Sequence, residues 1–449
     1  MCRPFFGTCS SEPHSSFRRW SITAFAPAST LKSSDRLRRG CRSSRSELKQ
    51  PIGSTALMLS LHENISLLAE LCVAGATLGI LYNLVAALLV LRFGNPAKPA
   101  VSKLPRVSIL KPLHGAEPGL YPRLTTFCQQ DFPEEVQLIC GTQQADDQAI
   151  HTVRLVQKLN PAAQIDLIVD ERSRGTNRKI GNLVNMEPRI RHEVVVLSDS
   201  DILVDNHFLQ RITAELESRK AGAVTCVYYG VGLRGIWARL SAANINCQLL
   251  PNVIVALSFG AARPCFGSAI ALHAETLKQI GGLVAFADEL ADDYAIGKAV
   301  RALGKEVVIP RWAVGHACFD RSFRSFWDHH MRSARTIRSI DPIGYVGLLF
   351  MHPLMLSVLA ACAGTSHSLV LITSALSARA ILTTSVESTF GLQRQSFWLL
   401  ALHDAISFAV YVCSFFGNSV TWRGYNFHIL RNGTIETDDL IPEPRRSED

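Results

Sequence analysis

Val194-Val195-Val196-Leu197-Ser198-Asp199-Ser200-Asp201 is an unbroken apolar run that stops at two carboxylates flanking a serine. A short β-branched run ending in turn chemistry reads as a buried strand of a parallel sheet, and ligands of open α/β sheets gather beyond the carboxyl ends of such strands. Asp199 and Asp201 therefore mark a candidate site. Alternate residues of an extended segment project to the same side, so the pair can present oxygens to one Mg²⁺ or Mn²⁺ ion. By itself the same pattern also suits a helix cap or a solvated turn.

Working outward from this run, strand and helix signals alternate. Val107–Leu110, Val136–Cys140, Ile165–Val169, Val194–Ser198 and Ala223–Tyr228 read as strands. Helices are predicted from Pro118 to about Gln129, over Ala149–Leu159 and over His207–Ser218. Such alternation implies right-handed crossovers, hence a doubly wound α/β domain with a mostly parallel sheet, here over residues 102–340.

This domain lies between apolar stretches. The chain has 449 residues, 47% of them hydrophobic, and a mean hydropathy of +0.15, high for a wholly soluble α/β protein. Residues 65–94 exceed the ~20 needed to cross a bilayer, and residues 344–416 hold two or three further candidates, at 344–363, 368–384 and 397–416. Arg379 and Arg394 mark the middle one as partly interfacial, and Asp404 in the last is costly unless it faces protein or water. Arg92, Lys98, Lys103 and Arg106 follow the first stretch, and a basic flank marks the cytosolic side. Arg423 and Arg431, in the tail at 417–449, ask for the same side, hence an even number of later spans.

Ten Lys/Arg against three Asp/Glu stand before Met58, nearly the whole of the +8 net charge. The rest is close to neutral, so no nucleic-acid partner is expected. Residues 1–57, rich in Ser, Arg and Pro, read as a disordered basic tail, with Met58 an alternative start. Twelve cysteines without C-x-x-C spacing read as reduced core thiols.

Three more clusters stand out. Asp146-Asp147 follows the second strand, where a carboxylate can accept from a nucleoside or cap the next helix. Asn177-Arg178-Lys179-Ile180-Gly181-Asn182-Leu183 reads as an anion-binding turn or, on the residues alone, as a solvated loop. Asp292-Asp293-Tyr294 is either an acidic first helical turn or a carboxylate pair in which repulsion and desolvation raise one pKa into the range of a general base. Downstream, residues 322–340 read as an amphipathic interfacial helix, whose Arg332, Arg335 and Arg338 also suit a diphosphate. His329 and His330 are adjacent on that helix and are expected to point apart, which argues against a metal site there.

Taken together, Lys111-Pro112-Leu113 with Gly115, Asp146-Asp147, Asn177-x-Lys179-Ile180-x-Asn182-Leu183, Asp199-Ser200-Asp201, Gly281-Gly282-Leu283 with Phe286-Ala287, Asp292-Asp293-Tyr294 and His329-x-x-Arg332 resemble the ceramide glucosyltransferase family. Its bacterial branch includes glycosyltransferases of hopanoid biosynthesis, and Val420-Thr421-Trp422-Arg423-Gly424 is similar to a signature of that branch. The resemblance implies a GT-A fold, a UDP-sugar donor and the pattern D, D, D, (Q/R/H)-x-x-R-W. It makes Asp147 a uridine-side contact, Asp199 with Asp201 the metal and diphosphate pair, and Asp293 the catalytic base. His329, Arg332, Arg335 and Lys179 become donor-binding residues. Ser333 stands where the family usually has Trp, with Trp312 and Trp327 the nearby aromatics. The implied function is inverting transfer of a hexose to a lipid hydroxyl at the cytosolic face of the membrane. N-acetylglucosamine transfer to a hopanoid and a sugar-nucleotide-binding scaffold with weakened catalysis are the alternatives.

Overall fold

The computed structural model describes residues 52–94, 103–260, 264–417, 419–422, 425–429 and 435–437. The readings on residues 1–51, Lys98, Arg423, Gly424 and Arg431 lie outside them. Four parallel strands, β1 (Val107–Pro112), β2 (Val136–Thr142), β3 (Gln164–Val169) and β4 (Val194–Leu197), form one side of the seven-stranded main sheet in the order β3-β2-β1-β4. β4 is the run that opens the sequence reading, and all four of its residues are buried. Val194 and Val196 pack into one core cluster and Val195 and Leu197 into the other, so helices cover both faces of the sheet.

The remaining strands are β5 (Ile202–Leu203), β6 (Ala223–Thr225), β7 (Val227–Gly232), β8 (Ile270–His273), β9 (Val307–Val308) and β10 (Ala313–Cys318). The main sheet continues from β4 through β8, β6 and β9, with β8 antiparallel to both its neighbours. A second sheet has the order β5-β10-β7. The expected single strand over Ala223–Tyr228 is thus two strands in two sheets. The chain changes sheet at Cys226, whose N–H donates to Ala269 O at 3.2 Å, while Val227 pairs with Ala313. A mostly parallel sheet with one reversed strand, carrying a small second sheet beyond the strand ends, is the GT-A architecture that the resemblance implies. Because β8 runs backwards, the turn before it returns to the carboxyl end of β4, where Ser198 Oγ donates to Ser268 O at 2.8 Å.

The helices are α1 (Ile52–Phe93), α2 (Leu120–Cys128), α3 (Gln148–Leu159), α4 (Arg178–Met186), α5 (Phe208–Ser218), α6 (Ile236–Asn244), α7 (Leu250–Ser258), α8 (Ala274–Gln279), α9 (Asp292–Ala302), α10 (Phe323–Ile340), α11 (Pro342–Gly347), α12 (Pro353–Cys362), α13 (Ser368–Phe390) and α14 (Phe397–Ser414). A π-turn, Ile245–Leu249, joins α6 to α7. Four helices among the described residues are long and apolar enough to cross a membrane: Glu63–Phe93, Ile236–Ser258, Ser368–Phe390 and Phe397–Ser414. The stretch read at 344–363 is a pair of helical segments bent by 67° around His352. Bare backbone lets α1 approach it, since a Cβ on Gly79 would lie 2.5 Å from Phe350 O.

The membrane-length segment Ile236–Ser258 escapes the sequence reading because 61% of its apolar window is buried inside the protein and polar residues such as Asn244, Asn246 and Gln248 interrupt it. Arg379 does not draw α13 to an interface, as its charge suggested. It is 1% exposed and makes a two-pronged ion pair with Asp404 of α14, at 3.0 Å on each prong. Its other donors reach Cys247 O at 2.8 Å and Met351 O at 2.7 Å. His403 Nδ1 lies 3.2 Å from Asp404 Oδ1, so one balanced network ties together α13, α14, the π-turn and the bent pair.

Candidate functional site

The Asp199-Ser200-Asp201 turn is held from behind by two cations. Lys111, at the end of β1, donates to Asp199 O at 2.6 Å and Ser198 Oγ at 3.1 Å, and its Nζ sits 3.7 Å from the centre of the Phe127 ring. Burial pushes the pKa of Lys111 down to about 7. Arg123 of α2 donates to Ser200 O at 2.8 Å and pairs with Glu117, which also accepts from Ser200 Oγ at 2.6 Å. With the backbone fixed, the two carboxylates face forward.

Asn177 starts the next element. Its side chain caps α4 by accepting from the N–H groups of Lys179 and Ile180, and it is fully buried, so the solvated-loop reading of this cluster does not hold. The cap aims Lys179 between two carboxylates, with Nζ 2.8 Å from Asp199 Oδ1 and 2.9 Å from Asp292 Oδ2. Asp293 has a different set of partners: its oxygens accept from the N–H groups of Gly267 and Tyr294, both at 2.8 Å.

These groups converge at Gly267. A Cβ there would come within 3.1 Å of Lys179 Nζ, 3.2 Å of Asp199 Oδ2 and 3.5 Å of Asp293 Oδ2. Both readings of Asp292-Asp293 are realised together, since the pair forms the first turn of α9 and also lines the cleft. Burial, then the charge of Asp292, pushes the pKa of Asp293 up to about 6, against the pull of Lys179. Asp199 is likewise raised by burial despite Lys179.

Asp201 behaves oppositely. Burial alone would raise it, but His316 Nε2 at 3.2 Å, with Lys111 and Arg123, holds it well below the usual carboxylate range. His316 stacks on Tyr228 with ring centres 5.2 Å apart, and its own pKa, which burial would lower, is held well above normal by Asp201. Asp201 Oδ1 is buried with no hydrogen-bond partner among the described residues. An anionic oxygen left without a donor beside a second carboxylate fits a hard divalent cation, so Asp199 and Asp201 are the residues that would hold Mg²⁺ or Mn²⁺.

Other residues named from the sequence lie in different surroundings. Asp147 caps α3 and accepts from the N–H of Gly115 through both oxygens, at 2.9 and 3.0 Å, with its side chain 1% exposed. It holds the loop after β1 and has little surface to offer a ligand. Arg335 donates to the carbonyls of Phe416 and Ser419, which ties α10 to the segment after α14. Ser333 Oγ bonds back to His329 O at 3.1 Å, Trp312 packs edge-on against Phe208 in the sheet core, and Trp327 packs against Phe323. Arg332 lies one turn after His329 on α10.

The expectation that His329 and His330 point apart is wrong. Their rings stack 5.1 Å apart, and a ligand atom from each lies within 4.8 Å of the other and of Asp320. Asp320 lies outside the helix, two residues after the end of β10, and it gathers Ser241, Ser325 and His329 at 2.6, 2.5 and 3.2 Å. Three protein donors already occupy Asp320, and burial keeps His330 neutral by lowering its pKa well below normal.

The model of glycosyl transferase family 21 matches residues 71–435, which takes in the cleft, α10, three of the four described membrane-length helices and most of the first. The chain belongs to glycosyl transferase family 21. Among curated relatives, ceramide glucosyltransferase 1 of Caenorhabditis elegans is 26% identical over 207 residues, covering 46% of this chain and 44% of that protein. Ceramide glucosyltransferase 3 of the same organism is 25% identical over 214 residues, covering 46% and 45%. The chain thus spans less than half the length of these relatives. A solved mannosyltransferase of Pyrobaculum calidifontis, in complex with GDP-Man and Mn²⁺, is 17% identical with a TM-score of 0.49, covering 78% of this chain and 99% of that one.

Lys111, Arg123, His316 and Gly267 belong to this cleft, and sequence reasoning gave none of them a role, while Asp292 entered it only as the neighbour that repels Asp293. The strand-end position of Lys111 was a usable signal. His316, in the strand Val314-Gly315-His316-Ala317, carries no local mark of its pairing with Asp201, which comes from a turn 115 residues away.

Proposed function

We propose that this family 21 member is a membrane-bound inverting glycosyltransferase that moves a hexose from a UDP-sugar to the hydroxyl of a ceramide-like lipid at the cytosolic leaflet. The observation that carries this reading is the convergence of Asp199, Asp293 and Lys179 around a glycine, beyond the carboxyl end of a buried parallel strand. Nucleotide ligands of α/β sheets bind at such strand ends. The membrane-length helices and the curated ceramide glucosyltransferase relatives support a lipid acceptor.

Asp293 is the base. Lys179 neutralises its neighbour Asp292, while Asp293 keeps only amide donors and a pKa near 6, so it is deprotonated at neutral pH yet basic enough to accept a proton. It takes the proton of the lipid hydroxyl as that oxygen bonds to the anomeric carbon from the face opposite the nucleotide. The bond from that carbon to the diphosphate oxygen breaks, and UDP leaves with the electron pair. A divalent ion held by Asp199 and Asp201 would neutralise the diphosphate. Arg332 adds a guanidinium to the same oxygens, and Asp147 shapes the uridine side through the Gly115 loop. Transfer of N-acetylglucosamine to a hopanoid uses the same groups and differs in pocket shape.

Membranes containing the full chain, incubated with radiolabelled UDP-glucose or UDP-N-acetylglucosamine and with added ceramide or hopanoid polyol, test the reading. Label is expected in the lipid fraction, and the productive pair identifies donor and acceptor. Failure of either sugar to reach any lipid, while the protein remains folded, overturns it.

A further inference from the structure

A cavity of about 680 Å³ lies along the edge strand β9. One wall is cationic: Arg219, Arg301, Lys305 and Arg311 line it, with Glu306 the carboxylate among them. The other wall holds Phe93, the last residue of α1, with Leu257 and Ser258 at the end of α7. Both helices belong to membrane-length segments, so their ends place the cavity at the depth of lipid headgroups. Phe259, next in the chain, is 71% exposed, as suits a ring at the acyl boundary.

Two of the four cations already have partners. Arg219 Nε pairs with Glu215 at 3.0 Å, and Lys305 Nζ is held by Thr276 Oγ1 and Gln279 Oε1, both at 2.9 Å. Neither Arg301 nor Arg311 has an ion-pair partner among the described residues, and Arg301 Nη1, packed beside Gly297, has no acceptor among them. Both residues line the cavity, and a guanidinium is well matched to the oxygens of a phosphate.

We propose that this cavity binds the phosphate of an anionic phospholipid headgroup, gripped by Arg301 and Arg311. The site is separate from the cleft around Gly267 and does not depend on which donor or acceptor that cleft uses. Its occupant is a lipid because the cationic wall faces the ends of apolar helices, whereas a site for free phosphate needs no such wall.

The test titrates the purified full chain in uncharged detergent with short-chain phosphatidylglycerol, short-chain phosphatidylcholine and glycerol 3-phosphate, reading binding by thermal shift and by a direct affinity measurement. Phosphatidylglycerol is expected to bind more tightly than either of the others. Arg301→Gln and Arg311→Gln should each weaken it about fivefold, the equivalent of ~1 kcal/mol per charge near a headgroup. Glu306→Gln, which removes a repelling carboxylate, should tighten it and decides the matter if the arginine variants fail to fold. Equal binding of the two lipids, unchanged affinity in folded arginine variants, or no tightening in Glu306→Gln overturns the proposal. Glycerol 3-phosphate binding as tightly as phosphatidylglycerol overturns the lipid as its occupant.

Discussion

Two buried ionic clusters sit in this chain, and they are built on opposite plans. Between α13 and α14 the charges balance: one guanidinium meets one carboxylate through two prongs, carbonyls take its other donors, and His403 braces the acceptor. Around Gly267 they do not. One ammonium serves Asp199 and Asp292, Asp293 is left with amide donors, and Asp201 Oδ1 has no hydrogen-bond partner among the described residues. A balanced buried cluster needs nothing further and holds helices in place. An unbalanced one has capacity left for a proton, a cation or a charged substrate, and that surplus is what the proposed site requires.

The largest effect expected of this contrast is on catalysis. Asp293→Asn removes the proton acceptor while keeping shape and one of the two amide contacts, so lipid glycosylation should fall about 10²–10⁴-fold, the usual contribution of a positioned general base. UDP binding, followed by calorimetry, should persist. Transfer within tenfold of the parent would move the role of base elsewhere. In the balanced cluster the effect should fall on stability. Arg379→Met strands a buried carboxylate and is expected to cost about 3–5 kcal/mol in thermal or denaturant unfolding in detergent. Arg379→Met combined with Asp404→Leu removes both charges and should recover much of that loss. If the double variant is no better than the single, the pair is not the self-contained unit described here.

How much of this was legible in the sequence depends on the range of the contacts. The four parallel strands, the strand-end carboxylates and most apolar helices follow from local periodicity, because each residue's environment repeats within its own segment. Asp147 offered a helix-cap reading beside a nucleoside one, and Asp292-Asp293 a first-helical-turn reading beside a general-base one, and only placement separates these. Asp147 turned inward as a cap, whereas Asp293 faces the cleft because the reversed strand β8 brings the Gly267 amide to it. The partners of Arg379, Asp201 and His329 come from 25, 115 and 9 residues away through tertiary packing. No local pattern records such pairings. The stacking of His329 on His330 shows the same limit: adjacent positions on a helix diverge at Cβ, yet a carboxylate outside the helix lets both rings turn to one place.

The unbalanced cluster should also show itself through pH. With its pKa at about 6, Asp293 loses the deprotonated form below that value, so kcat/KM should fall about tenfold per unit on the acid side and level off above it. Lys179→Met removes the ammonium that favours the charged carboxylate, so the acid limb should move to higher pH. An unmoved limb in a folded variant would separate Lys179 from the titration of Asp293. Linkage gives the matching sign for stability. The folded state binds this proton more tightly than the unfolded one, so the contribution of Asp293 is most favourable below the ordinary carboxylate pKa and is lost as pH rises through about 6.

The smallest effect belongs to the Asp320 cluster, which lies between the two plans. Asp320 accepts from Ser241, Ser325 and His329, and Ser241 also touches His330 Nε2 at 3.1 Å. Ser241→Ala removes one hydroxyl from a carboxylate that keeps two other donors, so unfolding should become easier by only about 1 kcal/mol. A metal held there would change that outcome. The loss of Ser241 would then free Asp320 and His330 for the ion, and added Zn²⁺ would raise the melting temperature of the variant above that of the parent. Since three donors already satisfy the carboxylate, we expect Zn²⁺ to leave the parent's melting temperature unchanged, which places this cluster with the balanced, architectural pair and not with the cleft.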